Sequence, residues 1–265
     1  MIMLLKTNED QEIINYLLSA EREAREVVKI TDTYPDLTIE KAYELQDGLL
    51  ARRLKDNQTK TVGIKLGLTS KAKQEMMGVN EAIYGYLHAD MLAYEWEPMK
   101  RSELIHPKAE PEIAFFLEKD LEGENVTEED VMEATKYVAP ALEVIDSRYK
   151  DFRFTLTDVV ADNCSSIKFV VGSQLVSPRE LDLGNIGMVM SKNGKVEQTG
   201  SSAAVLGHPA TAIAWAASQL SKRGRGFKKG EIILSGAMSE AISFDSGDTI
   251  VAQFHGLGSV SFYCQ

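Results

Sequence analysis

The sequence predicts an α+β fold: a helical N-terminal segment, residues 1–60, followed by a strand-dominated domain, residues 61–265, built on a curled mixed sheet. Three observations predict it. Apolar residues recur at helical spacing in two stretches before residue 60. From Thr61 onward, short runs rich in β-branched and aromatic residues take over. Those runs do not alternate regularly with helices, as a doubly wound sheet requires.

The first helix is expected within residues 11–30, QEIINYLLSAEREAREVVKI, on Ile13, Ile14, Leu17 and Leu18. TDTYPDL supplies turn chemistry around Pro35. A second helix follows on Ala42, Leu45, Leu49 and Leu54, with Thr38 as N-cap. The expected strands are TVGIKLGL, PEIAFFLE, LEVID, IKFVVG, EIILSG, TIVAQF and GSVSFYC, together with the hairpin VMSKNGKVEQ. Its Asn193-Gly194 pair suits two central residues with positive φ. Two helices interrupt the strands. One starts at Thr127, with Asp130 completing a capping box; the other starts near Pro209 and stops at Gly224. Gly256 to Ser259, GLGS, reads as a bend between strands, because no helix pattern follows it.

Composition narrows the function. The chain has 265 residues, 44% of them hydrophobic, enough for one large core. Asp and Glu outnumber Lys and Arg by 40 to 29, for a formal charge of −11. Nucleic-acid binding needs a basic patch to displace phosphate counterions, so no nucleic-acid partner is expected. The apolar opening MIMLL is too short for a signal-peptide core, and no run approaches the roughly 20 residues of a membrane span. Cys164 and Cys264 follow no disulfide or zinc spacing. A reduced, cytoplasmic protein with no membrane association is the expectation.

The most informative residues are three carboxylates in apolar, strand-like runs: Glu110 and Glu112 in HPKAEPEIAFF, and Glu143 in ALEVIDSRY. Residues i and i+2 of a strand share a face, so Glu110 and Glu112 lie side by side. Like charges at that spacing repel, and burial adds a desolvation cost. A hard divalent cation removes both costs; an edge strand facing water is the alternative. Lys65 sits between Gly63 and Gly67 in an apolar run, either as a cation for a site or as a strand lysine reaching to solvent. Arg148 either grips a carboxylate of a ligand bidentately or pairs with Asp146 to hold a loop. Asp162, Asn163, Ser165 and Ser166 suit turn and cap duty, with Ser166 the candidate hydroxyl donor. Thr69 and Ser70 suit the start of a short helix carrying Met76, Met77 and Val79. Residues 70–85 are then either a lid over the site or a surface helix. The four histidines follow no zinc spacing; His106, just before the carboxylate strand, is read either as a structural residue or as one that approaches the site.

Four long segments, in order, resemble the hydratase/decarboxylase branch of the fumarylacetoacetate hydrolase superfamily: KTVGIKLGLTSKAKQEMMGVNEAIYGYL, LIHPKAEPEIAFFL, ALEVIDSRYKDFRFTLTDVVADNCSS and GSSAAVLGHPATAIAWAASQL. The likeness runs from KITDTYPDLTIEKAY to GLGSVSF. The intact IDSRY, the FRF that follows and the KLGLTSKAK form of the first motif resemble its decarboxylases.

The resemblance implies the C-terminal fold type of that superfamily, metal ligands at Glu110, Glu112 and Glu143, and an active-site lysine at Lys65. It implies Mg²⁺, with Mn²⁺ possible on the same oxygen ligands, and substrate contacts from Arg148, Ser166, Thr69 and Ser70. The implied reaction is loss of CO₂ from 2-oxo-3-hexenedioate, a dicarboxylic 2-oxo acid of aromatic catabolism, giving 2-hydroxypenta-2,4-dienoate. The implied alternative is the sibling reaction, hydration of that dienoate. A homo-oligomer, able to associate with a sibling hydratase, is also implied. A non-catalytic partner subunit is the third reading, and the intact carboxylates and lysine weigh against it.

Overall fold

The computed structural model describes residues 7–265, apart from the side chains of Met76 and Met77. The MIMLL opening and the expected packing of those two methionines therefore lie outside the described residues.

Helix α1, Asn8–Arg22, is capped by Thr7, whose side chain accepts from the Asp10 amide. It buries Ile13, Ile14, Leu17 and Leu18, the stripe expected of it. The helix stops short of Val27 because Ala24 adopts φ +46° and Val27 bridges to Tyr149 instead. Helix α2, Ile39–Asp56, begins at the expected Thr38 cap. Strand β1, Thr61–Gly67, leads into α3, Lys71–Met77, which is capped by Ser70 and closed by Gly78 at φ +65°. Strands β2, Ile83–His88, and β3, Leu92–Ala93, precede β4, Lys108–Leu117. Helix α4, Glu128–Ala134, carries the Thr127–Asp130 capping box and runs into β5, Thr135–Ile145. Helix α5, Leu156–Ala161, and β6, Ser166–Val171, follow. Then come β7, Gly187–Lys192, and β8, Lys195–Ser201, joined through Asn193 and Gly194 with both φ positive, as expected. The last elements are α6, Pro209–Lys222, and β9 to β12: Ile232–Leu234, Ile242–Ser243, Thr249–Phe254 and Gly258–Tyr263.

The larger sheet runs β2-β1-β9-β4-β5-β6-β3, with β10 also paired to β4. The β1–β9 and β3–β6 pairs are parallel and the others antiparallel, so the sheet is mixed. Bulges at Thr61/Gly63, Phe116/Leu117 and Val144/Ile145 add twist and curl it. The second sheet, β12-β11-β7-β8, packs against it. Ile113, Phe115, Leu142, Met190, Ile250 and Val260 are buried together between them. The expected α+β architecture with a curled mixed sheet is the one formed.

Two features differ from expectation. Residues 70–85 are not one unit: α3 ends at Met77, and Ile83 and Gly85 are already paired to Gly67 and Lys65 in the sheet. Any closing movement is confined to α3 and the turn after it. Helix α5 was not expected; LTDVVA reads as an apolar run, yet Thr155 and Asp158 form a capping box over its first turn. The N-terminal helices share their core with Ile83, Tyr149, Val159, Val160 and Cys164 from later in the chain. No helix among the described residues is long and apolar enough to cross a membrane.

Candidate metal centre

Strands β4 and β5 build the site. Their antiparallel register sets Glu110 directly opposite Glu143, and Glu112 lies two residues along β4 on the same face. One oxygen from each of the three lies within 4.8 Å of the others. Glu112 and Glu143 are fully buried and Glu110 is 8% exposed, so the edge-strand alternative does not hold.

Lys65 enters from β1, two strands away, with Nζ 3.1 Å from Glu143 Oε1. Lys73, on α3, reaches Glu110 Oε1 at 2.6 Å. Glu112 Oε2 accepts the Gly236 amide at 2.7 Å, while Oε1 has no hydrogen-bond partner. Burial, and then the charges of Glu143 and Glu110, push the Glu112 pKa well above the usual carboxylate range. Burial raises Glu143 as well, with Lys65 opposing and Glu110 adding to the rise. Burial acts the same way on Glu110, but Lys73 and Lys65 outweigh it and hold that carboxylate below its ordinary value. On Lys65, burial favours the neutral amine; Glu143 and the other two carboxylates overcome it and keep the ammonium charged.

These residues fit a hard divalent cation: an all-oxygen donor set, converging on one point, with orphaned buried lone pairs. Protons compete with such an ion for Glu112 and Glu143. Metal affinity is therefore expected to fall as pH drops through the raised Glu112 value, at a higher pH than for ordinary carboxylate ligands. Calorimetric titrations in buffers of different ionisation enthalpy read this as proton release on binding. An affinity flat from neutrality into the usual carboxylate range would contradict it.

Gly236 explains the precision of the site. Its φ is +111°, and a Cβ there would lie 2.1 Å from Thr69 Oγ1. Thr69 is buried in the space that a side chain at Gly236 would need, so the Gly236 amide reaches Glu112 from a position that only glycine fits. Gly236→Ala is expected to unseat Glu112 and cost on the order of 1–3 kcal/mol in stability. Denaturant unfolding with metal titration alongside checks it; unchanged metal affinity would refute this role.

A cavity of about 750 Å³ reaches the trio at Glu110. Its walls include Lys65, Thr69, Ser70, Lys73, Lys108 and Glu110 among the polar groups, and Leu66, Ile83, Ile145, Phe152, Phe154 and Val159 among the apolar ones. Thr69 and Ser70 both line the cavity, and Ser70 also caps α3 by accepting from the Lys73 amide.

Two expected residues are placed otherwise. Arg148 is buried away from the cavity wall: Nε pairs with Asp162 Oδ1 at 2.6 Å and Nη2 donates to the Asp162 carbonyl. Its partner is thus Asp162, not Asp146, whose carboxylate accepts the Ile105 and His106 amides and pins the entry to β4. A guanidinium already neutralised and buried this way cannot turn to a ligand without stranding Asp162. Ser166 is fully buried outside the wall; its hydroxyl favours the charged form of Glu143 but makes no hydrogen bond of ordinary geometry. Of these two adjacent serines it is Ser165 that lines the cavity, with its Oγ unpartnered. Asn163, Cys164 and Ser165 all take positive φ, which turns Cys164 and Ser165 inward. The ADNCSS cluster signals a turn but not which hydroxyl that turn exposes.

Lys73 and Lys108 were missed. Lys108 was readable, since it lies two residues before Glu110 on the same strand face. Lys73 was not, because its approach depends on how α3 folds back. His106 Nε2 lies 2.6 Å from Glu26 and does not line the cavity.

The chain matches the family described as Fumarylacetoacetate (FAA) hydrolase C-terminal over residues 71–263. It is 41% identical over 249 residues to a 4-oxalocrotonate decarboxylase of Pseudomonas sp. (strain CF600), covering 94% of each chain. It is 42% identical over 248 residues to a 2-hydroxyhexa-2,4-dienoate hydratase of Comamonas testosteroni, covering 92% of this chain and 93% of that one. Its structure superposes with a TM-score of 0.94, at 39% identity, on 4-oxalocrotonate decarboxylase from Pseudomonas putida G7 complexed with magnesium and adipate. That match covers 98% of this chain and 99% of the other.

Proposed function

Because the chain belongs to the fumarylacetoacetate hydrolase family, we propose that it is a metal-dependent carboxy-lyase converting 2-oxo-3-hexenedioate (4-oxalocrotonate) to 2-hydroxypenta-2,4-dienoate and CO₂. The observation that carries this reading is the buried trio Glu110, Glu112 and Glu143 with Lys65 against it, at the end of a largely apolar cavity. Glu110, Glu112 and Glu143 hold Mg²⁺, with Mn²⁺ the alternative ion. The solved relative was complexed with magnesium and adipate, a six-carbon dicarboxylate like the proposed substrate.

Bound there, the ion supplies Lewis acidity at the 2-oxo acid end of the substrate. The chain's own residues do the rest. Lys65, held charged in a buried position, donates to the keto oxygen and supplies the proton that this oxygen gains. The electron pair of the breaking C5–C6 bond shifts through the conjugated system to that oxygen, and CO₂ departs. Leu66, Ile83, Ile145 and Val159 keep the reacting chain dry, which favours loss of a carboxylate and disfavours attack by water. Lys65, Lys73 and Lys108, with the dication, outweigh the three ligands and Glu240 at the rim, so the cavity draws in a dianion despite the acidic surface.

The hydratase relatives support a second reading, in which the same site adds water to a dienoate. Proton NMR of the product separates the two: 2-hydroxypenta-2,4-dienoate from the diacid means decarboxylation, and consumption of added dienoate without CO₂ from the diacid means hydration. Self-association, pairing with a sibling hydratase and a cytoplasmic setting belong to the same proposal; light scattering of the protein with and without a hydratase tests the first two.

A further inference from the structure

Among the cavity-lining cations, Lys65 is engaged by Glu143 and Lys73 by Glu110. Lys108 differs. Among the described residues it makes no ion pair, and its Nζ lies 4.0 Å from the centre of the Phe152 ring. Strand β4 carries Lys108, Glu110 and Glu112 on one face, at successive i, i+2 positions. Exposure rises along that row from fully buried Glu112 to half-buried Lys108, so the ammonium stands toward the mouth, on the far side of the carboxylates.

The ring that covers it is held at some cost. Asp151 and Phe152 both adopt φ +56°, a left-handed conformation uncommon for residues with a Cβ and rarer still for a bulky one. Glu26, from the N-terminal segment, braces this turn: its Oε1 accepts the Asp151 amide at 3.2 Å and lies 2.6 Å from His106 Nε2. Val27 adds backbone hydrogen bonds with Arg148 and Lys150. The result sets Phe152, Phe154 and the Lys108 ammonium in one stretch of cavity wall. A cation over an aromatic face is partly stripped of water yet keeps its outward N–H donors free.

We propose that Lys108, positioned by Phe152, binds the carboxylate of the substrate remote from the metal end, and so selects dicarboxylic over monocarboxylic 2-oxo acids. This rests on the reading of the site given above. The energetics make a specific demand. The remote carboxylate leaves as neutral CO₂, so its attraction to Lys108 weakens toward the transition state. Lys108 then acts on ground-state binding and not on the chemical step.

The test uses two competitive ligands of equal chain length, 2-oxohexanedioate and 2-oxohexanoate, titrated by calorimetry into the Mg²⁺-loaded protein. The wild-type protein is expected to prefer the diacid, and Lys108→Met to lose about 10- to 100-fold in diacid affinity, the size of one charged hydrogen bond. Monoacid affinity stays within about twofold, which also shows the variant folded and metal-loaded. Lys108→Arg retains the preference. Phe152→Leu lowers it while leaving Mg²⁺ affinity in place. In turnover, KM for the diacid rises in Lys108→Met while kcat does not fall. Equal loss for both ligands, or a diacid preference that survives in Lys108→Met, overturns the inference while leaving the metal site standing. Failure of both ligands to bind the loaded wild-type protein overturns the reading of the site on which it rests.

Discussion

Glu112→Gln is expected to abolish metal-dependent turnover and yet leave the metal-free protein at least as stable as wild type. Glu112 Oε2 accepts the Gly236 amide, and an amide oxygen can keep that bond. What the substitution removes is a buried negative charge facing Glu143 and Glu110. Because the folded-state pKa of Glu112 is raised, the folded metal-free protein binds a proton that the unfolded chain has already released. The ionised group therefore destabilises the fold above its raised value, and stability returns as pH falls through it toward the unfolded value. At neutral pH glutamine escapes this penalty. Metal reverses the comparison: at about 100 times its Kd an ion adds about 2.7 kcal/mol to the wild type. A variant missing one of three carboxylate ligands, with affinity down at least about a hundredfold, gains almost nothing. Thermal melts of both proteins, with chelator and with Mg²⁺, read the crossing. Equal stabilisation of both by metal would show that Glu112 is not a ligand.

Lys65→Met has the second large effect, and in the opposite direction without metal. Removing one partner of a buried pair strands the other, here Glu143, at a typical cost of about 3–5 kcal/mol. A divalent ion neutralises the same carboxylate, so much of that loss is expected to return on metal loading. Turnover is not expected to return with it, because the hydrogen-bond donor and proton source at the keto oxygen are gone; a fall of about 10²–10⁴ in kcat is expected. The pattern of stability rescued by metal and activity not rescued separates a catalytic lysine from a purely structural one. Activity that recovered along with stability would assign Lys65 to scaffolding.

How much of this was legible beforehand follows from the range of the interactions involved. Glu110 and Glu112 are two residues apart on one strand, and period-two alternation alone sets them side by side. Local chemistry also announced the caps at Thr38 and Thr127 and the turn at Asn193-Gly194. Strand β2 escaped notice because IYGYLH follows a helical stretch and has no alternating face; every residue in it is buried. Glu143 joins the other two through the β4–β5 register, and Lys65 reaches it across two intervening strands, β9 and β4. Sequence spacing carries neither fact, so both entered through the resemblance of long motifs. Arg148 was misjudged for the same reason. Asp146, two residues away, is its obvious neighbour, but the bulge between Val144 and Ile145 and the turn into α5 bring Asp162 to it instead. The serine in the wall, Ser165 and not Ser166, is decided by three consecutive positive φ values that no residue type in ADNCSS demands.

The central claim is that three buried carboxylates hold an ion that drives loss of CO₂ from a six-carbon 2-oxo diacid. The most direct measurement is CO₂ release from 2-oxo-3-hexenedioate by the purified protein during a Mg²⁺ titration after chelator treatment, with Glu110→Gln beside it. The account predicts release that rises with metal to saturation in the wild type and stays at background in Glu110→Gln. Release that persists under chelation, or that the variant retains, would contradict it.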